Sequence, residues 1–218
     1  MGFQIAIDGP SASGKSSIAR EVAKSFNFVH INSGLMYRAI AYKAIKEQVN
    51  LLCEEKLVEL IEHTTLELTP DQRVIMDQND VSEHLKTVSI EASTVSSFPL
   101  VRERLVHLQQ EMAKSLDCVM DGRDIGTVVL PQADVKIFIT ADVEDRAHRR
   151  TNELKKMGID ADYENILDEM IQRDNQDINR PVGPLKQAED ALLIDTTGNT
   201  FEMSAKIVID LIKERLGR

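Results

Sequence analysis

The strongest constraint on this chain is the glycine-rich segment GPSASGKS at residues 9–16, which directly follows a run rich in β-forming residues at residues 3–8. The pattern GxxxxGK[ST] between a strand and a helix is typical of loops that hold phosphate with backbone N–H groups at a helix N-terminus. Residues 15–26 continue as a helical pattern, so both flanks agree with such a loop. The residues predicted to bind a nucleotide's phosphates are Gly9, Pro10, Ser11, Ala12, Ser13, Gly14, Lys15, Ser16 and Ser17.

Two side chains of this loop can supply what backbone amides cannot. Lys15 would place a cation beside the β and γ phosphates, and the Ser16 hydroxyl could ligate Mg²⁺. A glycine-rich strand-to-helix turn without a ligand is the alternative interpretation. The base-reading N/TKxD motif of regulatory GTPases is absent from the sequence, and a translocating ATPase generally needs a longer chain. The loop therefore favours a small phosphotransferase.

Short runs rich in β-forming residues alternate with helical patterns along the chain. Strands are predicted at residues 3–8, 28–31, 118–121, 135–140 and 191–195. Helical stretches separate most of these runs, an alternation typical of a parallel sheet with helices on both faces. The last helix is expected to follow a cap at Asn199 or Thr200. The sequence thus predicts an α/β fold with a central parallel sheet.

One region departs from this alternation. Residues 64–68 and 73–77 are short extended runs on either side of Pro70, Asp71 and Gln72, a pattern typical of an antiparallel hairpin. We expect the hairpin to be an insertion into the α/β pattern. Insertions of this kind often carry specificity, because they are free to vary without disturbing the sheet.

The charge of the chain limits its partners. The sequence has 26 Lys and Arg against 36 Asp and Glu, a net charge of −10, so binding to nucleic acid or to an anionic membrane surface is not expected. The acids are concentrated in residues 54–91 and 158–195, each with ten acids and three bases, which leaves the rest of the chain net positive. Cys53 and Cys118 lack metal-site spacing, and we expect free thiols in a cytoplasmic protein.

Several of the thirteen arginines stand where a ligand would be met. Arg38 lies about one turn into a helix predicted to begin near Ser33, although a capped helix with a solvated arginine would look the same. Arg123 and Asp124 follow a predicted strand, at the edge where open α/β sheets bind ligands. A turn held by its own Arg–Asp pair is the alternative for these two residues.

Two helical stretches carry further arginines. In the first, three cations at spacing i, i+3 and i+4 have no matching run of acids, which favours either an anion or a solvated basic face: Arg146, Arg149 and Arg150. In the second, Arg173, Asp177 and Arg180 share one stripe of a helix. This stripe is either a surface salt-bridge ladder or two arginines directed at a ligand, and the spacing alone does not decide between them.

Taken together, these motifs resemble the bacterial cytidylate kinases, small nucleoside monophosphate (NMP) kinases that phosphorylate CMP and dCMP with ATP. The matching stretches are IDGPSASGKSS, NSGLMYRA, EASTVSSFPLVRERL, DGRDIGTVV, VKIFITA, DRAHRR and RDNQDINRPVGPL. They run in the family's order from residue 5 to about residue 195, so the resemblance covers nearly the whole chain. It implies a three-layer P-loop kinase fold in a single domain, 1–218, with an NMP-binding insertion near residues 33–92 and a short lid near residues 149–162.

The resemblance also implies roles for individual residues. The catalytic cations would be Lys15, Arg123, Arg149, Arg150 and Arg173. The residues that bind the acceptor nucleotide would be Ser33, Arg38, Ser93, Arg102, Arg123, Asp124, Arg173, Asp177 and Arg180. Arg146 would join the loop in binding ATP, and Ser16 would bind Mg²⁺. Gln176 and Ile178 stand where some relatives carry further arginines, so the resemblance gives them no role.

The chemistry of the base supports part of this assignment. Cytosine presents an amino donor beside two acceptors, so its reader needs a carboxylate or hydroxyl together with a donor. Asp124, Arg102 and Ser93 supply that set.

The alternatives to a cytidylate kinase are a P-loop kinase acting on UMP, AMP or shikimate, and a nucleotide-binding regulator without catalysis. No long apolar stripe in the sequence requires a partner, so a monomer is expected.

Overall fold

The computed structural model describes residues 2–69 and 71–217, and over these residues the chain forms eight β-strands and eight α-helices. The strands are β1 Gln4–Asp8, β2 Val29–Asn32, β3 Leu66–Leu68, β4 Val74–Met76, β5 Asn79–Asp80, β6 Cys118–Gly122, β7 Val135–Thr140 and β8 Leu192–Asp195. The helices are α1 Lys15–Phe26, α2 Ser33–Lys46, α3 Glu54–Glu62, α4 Ser89–Val95, α5 Pro99–Ala113, α6 Val143–Lys156, α7 Tyr163–Asn179 and α8 Phe201–Leu216.

Five strands form one parallel sheet in the order β2-β6-β1-β7-β8, which confirms the predicted fold class. The central strand β1 pairs with β6 on one side and β7 on the other, so the segments that follow β1 and β6 emerge at the same sheet edge. Ile5 and Ile7 of β1 pack with α1 and α8 on one face, while Ala6 packs with Met120 and the end of α5 on the other. The fold therefore has three layers, helix, sheet and helix.

The predicted hairpin is present, but it is shorter and has a third strand. Leu66–Leu68 pairs antiparallel with Val74–Met76, and Val74–Met76 pairs in turn with Asn79–Asp80. The tip of the predicted turn includes Pro70, which lies outside the described residues. This small sheet packs on α2 through its own apolar cluster, which holds Val74 and Met76 against Ala39. Buried Lys43 of α2 adds an ion pair to Asp77 at 2.7 Å.

The remaining sequence expectations are close to the observed elements. Helix α1 begins and ends where it was predicted, and the cap of α8 is Thr200, whose hydroxyl accepts a hydrogen bond from the Met203 amide. Cys53 and Cys118 are both free. None of the helices in the described part of the chain is both long and apolar enough to cross a membrane.

Candidate active site

A cleft of about 760 Å³ opens at the carboxyl edge of the parallel sheet, where the segments after β1, β2 and β6 meet. The phosphate-binding loop forms one end of the cleft and helices α2, α4 and α5 form the other, with α6 and α7 contributing arginines from the side. The charged residues that line it are Lys15, Arg20, Arg38, Arg102, Asp121, Arg123, Asp124, Arg149, Arg150, Glu153, Arg173, Asp177 and Arg180.

The last residue of the phosphate-binding loop before α1 has a backbone conformation that favours glycine. Gly14 is the N-cap of α1 and has a φ of +86°, in the left-handed region that costs other residues energy. The turn leaves the first amides of α1 free of side-chain caps and open to the cleft, as an anion site at a helix N-terminus requires. Of the predicted loop residues, Ser11 to Ser17 line the cleft, whereas Gly9 and Pro10 lie behind it.

Lys15 is buried in this loop with a neutral partner. Its ammonium donates a hydrogen bond to the Pro10 carbonyl at 3.0 Å, and the residue as a whole is only 6% exposed. Burial, reinforced by the nearby Arg123, holds the pKa of Lys15 well below its ordinary value. A bound anion would strongly stabilise the charged form of this ammonium, because it would replace the interactions with water that burial removes.

Ser16 lies in a chain of polar contacts that runs behind the loop. Its hydroxyl donates to Asp121 at 2.5 Å and accepts from the Asn32 amide at 3.2 Å. The other oxygen of Asp121 lies 2.7 Å from Nε2 of buried His30. Burial alone would raise the pKa of Asp121, but His30 and Lys15 hold it below the ordinary value. The carboxylate therefore stays ionised beside the Ser16 hydroxyl.

Three buried or half-buried cations of the cleft have no carboxylate partner among the described residues. Lys15 has only the Pro10 carbonyl, Arg38 donates to the Leu85 carbonyl at 3.1 Å, and Arg173 donates to the hydroxyls of Ser11 and Ser89. Burial and neighbouring arginines lower the pKa of Arg38, and burial with Arg123 lowers that of Arg173 to about 10. Cations that lower one another's pKa in this way form a preorganised site for a multiply charged anion.

Arg123, by contrast, has a firm acidic partner. It leaves the end of β6 and reaches across the cleft to Asp177 of α7 at 2.7 Å, so the alternative of an Arg–Asp pair within its own turn is wrong. Asp177 also lies 3.7 Å from Arg180. Burial would raise the pKa of Asp177, but Arg123 outweighs it and lowers that pKa. Asp177 on the α7 stripe therefore holds both Arg123 and Arg180. Arg173, on the same stripe, has no carboxylate partner among the described residues.

A second ion-paired group lies at the far end of the cleft. Arg102 of α5 is 2% exposed and donates to Asp124 Oδ2 at 2.5 Å and to the Ser96 carbonyl at 3.2 Å. Arg180 approaches the other oxygen of Asp124 at 3.4 Å. The Arg102 guanidinium lies 5.5 Å from the centre of the Tyr37 ring, a cation–π contact. Burial raises the pKa of Tyr37 to about 12.

One atom in this group is directed at no protein partner. Nε of Arg102 is buried and has no hydrogen-bond acceptor within the described part of the chain. Buried guanidinium donors are nearly always satisfied, and leaving one unpaired costs about 1–3 kcal/mol.

The two predicted serines have different positions. Ser33 is buried, and its hydroxyl donates to the carbonyl of Asp121 at 2.8 Å, which ties the start of α2 to the end of β6. Ser93 of α4 lines the cleft and contacts Gln176 of α7 at 3.4 Å. A contact between Ser89 and Arg173 at 2.8 Å joins the same two helices. Helices α4 and α7 thus meet across the opening of the cleft.

The expectation that the arginines of α6 lack matching acids is wrong. Each has its own carboxylate: Arg146 pairs with Asp174, Arg149 with Asp145 and Arg150 with Glu153, at 2.7, 2.6 and 2.8 Å. Arg149 and Arg150 still line the cleft. Arg146 does not, because its buried side chain supports the phosphate loop from behind through the Ser11 carbonyl at 3.2 Å.

The turn that carries Arg123 and Asp124 is held by a carboxyl group in β1. Both oxygens of Asp8 accept backbone hydrogen bonds at 2.8 Å, from Ile125 and Gly126 in the π-helical turn Ile125–Val129. Asp8 is therefore turned toward the protein backbone rather than into the cleft. Burial raises the pKa of Asp8 from 3.8 to about 6, since the two hydrogen bonds only partly offset the lost hydration.

This raised pKa predicts a pH dependence of stability. A carboxyl whose pKa is higher in the folded state contributes stability that is fully present below about pH 4 and is lost as the pH rises through about 6. The free energy of unfolding of the wild type, minus that of Asp8→Asn, should fall by about 2 kcal/mol from pH 4 to 7. Urea unfolding at several pH values measures it, and a difference that stays constant with pH would contradict the assignment.

Several residues of the cleft carry no role in the sequence-based account. Asn32 caps α2 and contacts Ser16, and Tyr37 lies under Arg102; both belong to the NSGLMYRA stretch, and their polar or aromatic character was the available signal. The first residues of α8 and its cap also line the cleft. His30 shows no motif, since its partner Asp121 is 91 residues away in sequence.

Comparisons with known proteins agree with this geometry. The family model described as cytidylate kinase matches residues 5–214. The chain is 44% identical over 220 residues to a cytidylate kinase of Caldicellulosiruptor saccharolyticus, covering 99% of this chain and 97% of the relative. It is 45% identical over 218 residues to a cytidylate kinase of Bacillus subtilis, covering 98% of this chain and 97% of the relative.

Among solved structures, an uncharacterized protein from Eubacterium ventriosum shares the fold. The TM-score is 0.55 at 12% identity, with 97% of this chain and 98% of that chain covered. At this identity the likeness extends to the fold alone, whereas the sequence relatives match almost end to end. The chain belongs to the cytidylate kinase family.

Proposed function

We propose that this protein transfers the γ-phosphoryl group of ATP to CMP or dCMP, giving ADP and CDP or dCDP. The observation that carries the proposal is a set of three buried or half-buried cations without carboxylate partners among the described residues, Lys15, Arg38 and Arg173, between the phosphate loop and the Arg102–Asp124 pair. A polyanion on the loop and a phosphate monoester beside it would supply the missing negative charges. The family relatives support the same reaction.

The reaction would be an in-line displacement between two nucleotides. An oxygen of the CMP phosphate attacks the γ-phosphorus, a new P–O bond forms, and the bond to the β-phosphate oxygen of the departing ADP breaks. The second pKa of a phosphate monoester is near 6, so the attacking oxygen is already an anion at neutral pH and no general base is needed. Positioning and charge stabilisation then dominate catalysis.

Each cation has a place in this scheme. Lys15 would bind the β and γ phosphates from the loop, while Arg149 and Arg150 would cover the transferring group from α6. Arg38, Arg123 and Arg173 would hold the acceptor phosphate. Asp177 fixes Arg123 at 2.7 Å, and we assign it the additional role of facing the sugar. The lowered pKa values of Lys15 and Arg173 mean that bound phosphate stabilises their charged forms.

The base would be read by the far end of the cleft. Asp124 would accept the N4 amino group of cytosine, and Arg102, Arg180 and Ser93 would donate to its acceptors. Uracil has a carbonyl at position 4, so it would face a carboxylate without a shared hydrogen. Such an unpaired buried group should favour CMP over UMP by about 1–3 kcal/mol.

The residues around Ser16 fit Mg²⁺. Magnesium prefers oxygen ligands and in kinases is held by one or two protein oxygens together with substrate phosphates. The Ser16 hydroxyl would be the protein ligand, and Asp121, 2.5 Å away, would orient it and accept hydrogen bonds from bound water. When bound, the ion would neutralise charge on the β and γ phosphates. Within residues 2–69 and 71–217, no cluster of three or more His, Cys, Asp or Glu competes for a metal.

We also assign regions and a setting to this function. Residues 33–92 would form the NMP-binding region, and residues 149–162, which join the end of α6 to the start of α7, would form a short lid. Closure of the lid would exclude water, which could otherwise hydrolyse ATP. We propose a cytoplasmic monomer, because no long apolar stripe in the sequence requires a partner and the proposed substrates are metabolites.

A panel of acceptors tests the proposal. Release of ADP from Mg-ATP is followed with CMP, dCMP, UMP, AMP, shikimate or no acceptor. Turnover with CMP and dCMP that exceeds the other acceptors supports the proposal. Equal turnover with UMP or AMP would make the base assignment wrong, and ATP binding without ADP release from any acceptor would favour a regulator without catalysis.

A further inference from the structure

The segment after α7, residues 180–185, lies against the Arg102–Asp124 pair at the far end of the cleft and is held by two hydrogen bonds. We call residues 180–185 the strap. The Arg180 side chain donates to the carbonyl of Gly183 at 2.5 Å, and the Leu185 amide donates to the carbonyl of Asp177 at 2.8 Å. Pro181 and Pro184 restrict the backbone between these points. The strap is therefore a short, stiff connection whose position is set by α7.

Gly183 brings the backbone of the strap into direct contact with the Arg102–Asp124 pair. It has a φ of +56°, and a Cβ built on it would overlap Asp124 Oδ2 and lie 2.7 Å from Nη2 and 3.0 Å from Nε of Arg102. These atoms belong to a carboxylate and a guanidinium that are 5% and 2% exposed as residues. No side chain fits between the strap and the pair.

We propose that Gly183 is a specificity-determining position, which acts by letting the strap seal the Arg102–Asp124 pair. The inference rests on the proposed function and adds a residue outside the predicted set. With the strap in place, Asp124 is ion-paired through both oxygens, to Arg102 at 2.5 Å and to Arg180 at 3.4 Å. Water cannot then relieve the mismatch that uracil creates against this carboxylate. A side chain at position 183 would either displace the carboxylate or lift the strap and admit water.

The test is the selectivity of Gly183→Ala. The ratio of kcat/KM for CMP to that for UMP should fall about 5-fold or more, because water would then relieve the penalty of the unpaired group that uracil leaves. The Kd of a non-hydrolysable ATP analogue should stay within about 2-fold of wild type, because the strap lies at the opposite end of the cleft. A wild-type selectivity ratio in a folded Gly183→Ala protein would overturn the proposal.

Gly217→Ala is the matched control. Gly217 has a φ of +65°, similar to that of Gly183, but an ideal Cβ there meets no atom within 4 Å among the described residues. The substitution adds the same kind of backbone strain without touching the Arg102–Asp124 pair. Its selectivity ratio should equal that of the wild type, and a loss as large as that of Gly183→Ala would also overturn the proposal.

A double variant tests whether Gly183 acts through Asp124. If it does, Gly183→Ala combined with Asp124→Asn should have the same selectivity ratio as Asp124→Asn alone. Multiplicative losses in the double variant would show an independent effect and contradict the mechanism.

A second variant decides the question if Gly183→Ala does not fold, as judged by loss of cooperative unfolding. Replacing Pro181 and Pro184 by glycine loosens the strap without adding an atom, and the selectivity ratio should fall several-fold. A folded double-glycine variant with wild-type selectivity would then overturn the proposal. A wild type that does not prefer CMP would instead refute the proposed function itself, so the two failures are distinguishable.

Discussion

Replacement of Lys15 by alanine is expected to lower kcat with CMP by roughly 10²- to 10³-fold, the effect of losing one preorganised group that stabilises charge in a transition state. The KM for CMP should change much less, because Lys15 lies in the donor loop. Among the described residues, the Lys15 ammonium donates a hydrogen bond only to the Pro10 carbonyl, at 3.0 Å, so it is available to bind phosphate. Its interaction with the phosphates should be stronger in the transition state than in the bound substrate.

The measurement is a steady-state comparison of kcat and KM for the two proteins at saturating Mg-ATP. Lys24→Ala is a suitable control, because Lys24 is an exposed lysine in the last turn of the same helix. It should leave both constants unchanged. A Lys15→Ala protein that unfolds cooperatively and retains the wild-type kcat would contradict the role of Lys15.

Replacement of Asp124 by asparagine is expected to narrow the preference for CMP over UMP by about 5- to 100-fold, corresponding to about 1–3 kcal/mol. Asparagine keeps the shape of the side chain but can direct an amide donor at position 4 of the base, where uracil presents an acceptor. The kcat/KM for CMP should fall, and that for UMP should fall less or rise. The ratio of the two constants is the quantity to measure.

Stability must be followed in the same protein. Asp124 is paired with buried Arg102 at 2.5 Å, and removing one partner of a buried ion pair costs about 3–5 kcal/mol in typical cases. Asp210→Asn controls for loss of a carboxylate, since Asp210 forms an exposed pair with Lys206 on α8. If Asp124→Asn folds and keeps the wild-type CMP to UMP ratio, Asp124 does not read the base.

The fold was largely predictable because its signals are local. A buried parallel strand such as Val135–Thr140 is rich in apolar β-forming residues, and α1 begins after a glycine-rich loop and is followed by its C-cap Asn27 in a left-handed conformation. The third strand of the small sheet, Asn79–Asp80, was missed because two exposed polar residues carry no periodic signal. It is held by pairing with Ile75 and Met76, which only the folded chain brings into register.

The candidate site was less predictable, because most of its contacts join distant residues. Arg123 and Asp177 are 54 residues apart in sequence, and Arg102 and Asp124 are 22 apart, so spacing on one helix could not pair them. The pairing of Arg149 with Asp145 is an i, i+4 contact that could have been identified from the sequence. Arg146 finds Asp174 only because α6 packs on α7. The resemblance to a family, rather than periodicity, selected the residues of the base-reading end.

Internal competition between acceptors tests the central claim most directly. Equal concentrations of CMP, UMP and AMP are mixed in one tube with limiting Mg-ATP and enzyme, and the three diphosphates are quantified at low conversion. The ratio of CDP to UDP equals the ratio of the kcat/KM values for CMP and UMP, independent of enzyme concentration. The ADP in excess of the sum of CDP and UDP reports turnover of AMP or hydrolysis of ATP. The account predicts that CDP exceeds UDP by at least about 5-fold, and that the ADP formed in excess of CDP plus UDP is smaller than the amount of CDP. Equal amounts of CDP and UDP, or ADP without any pyrimidine diphosphate, would contradict it.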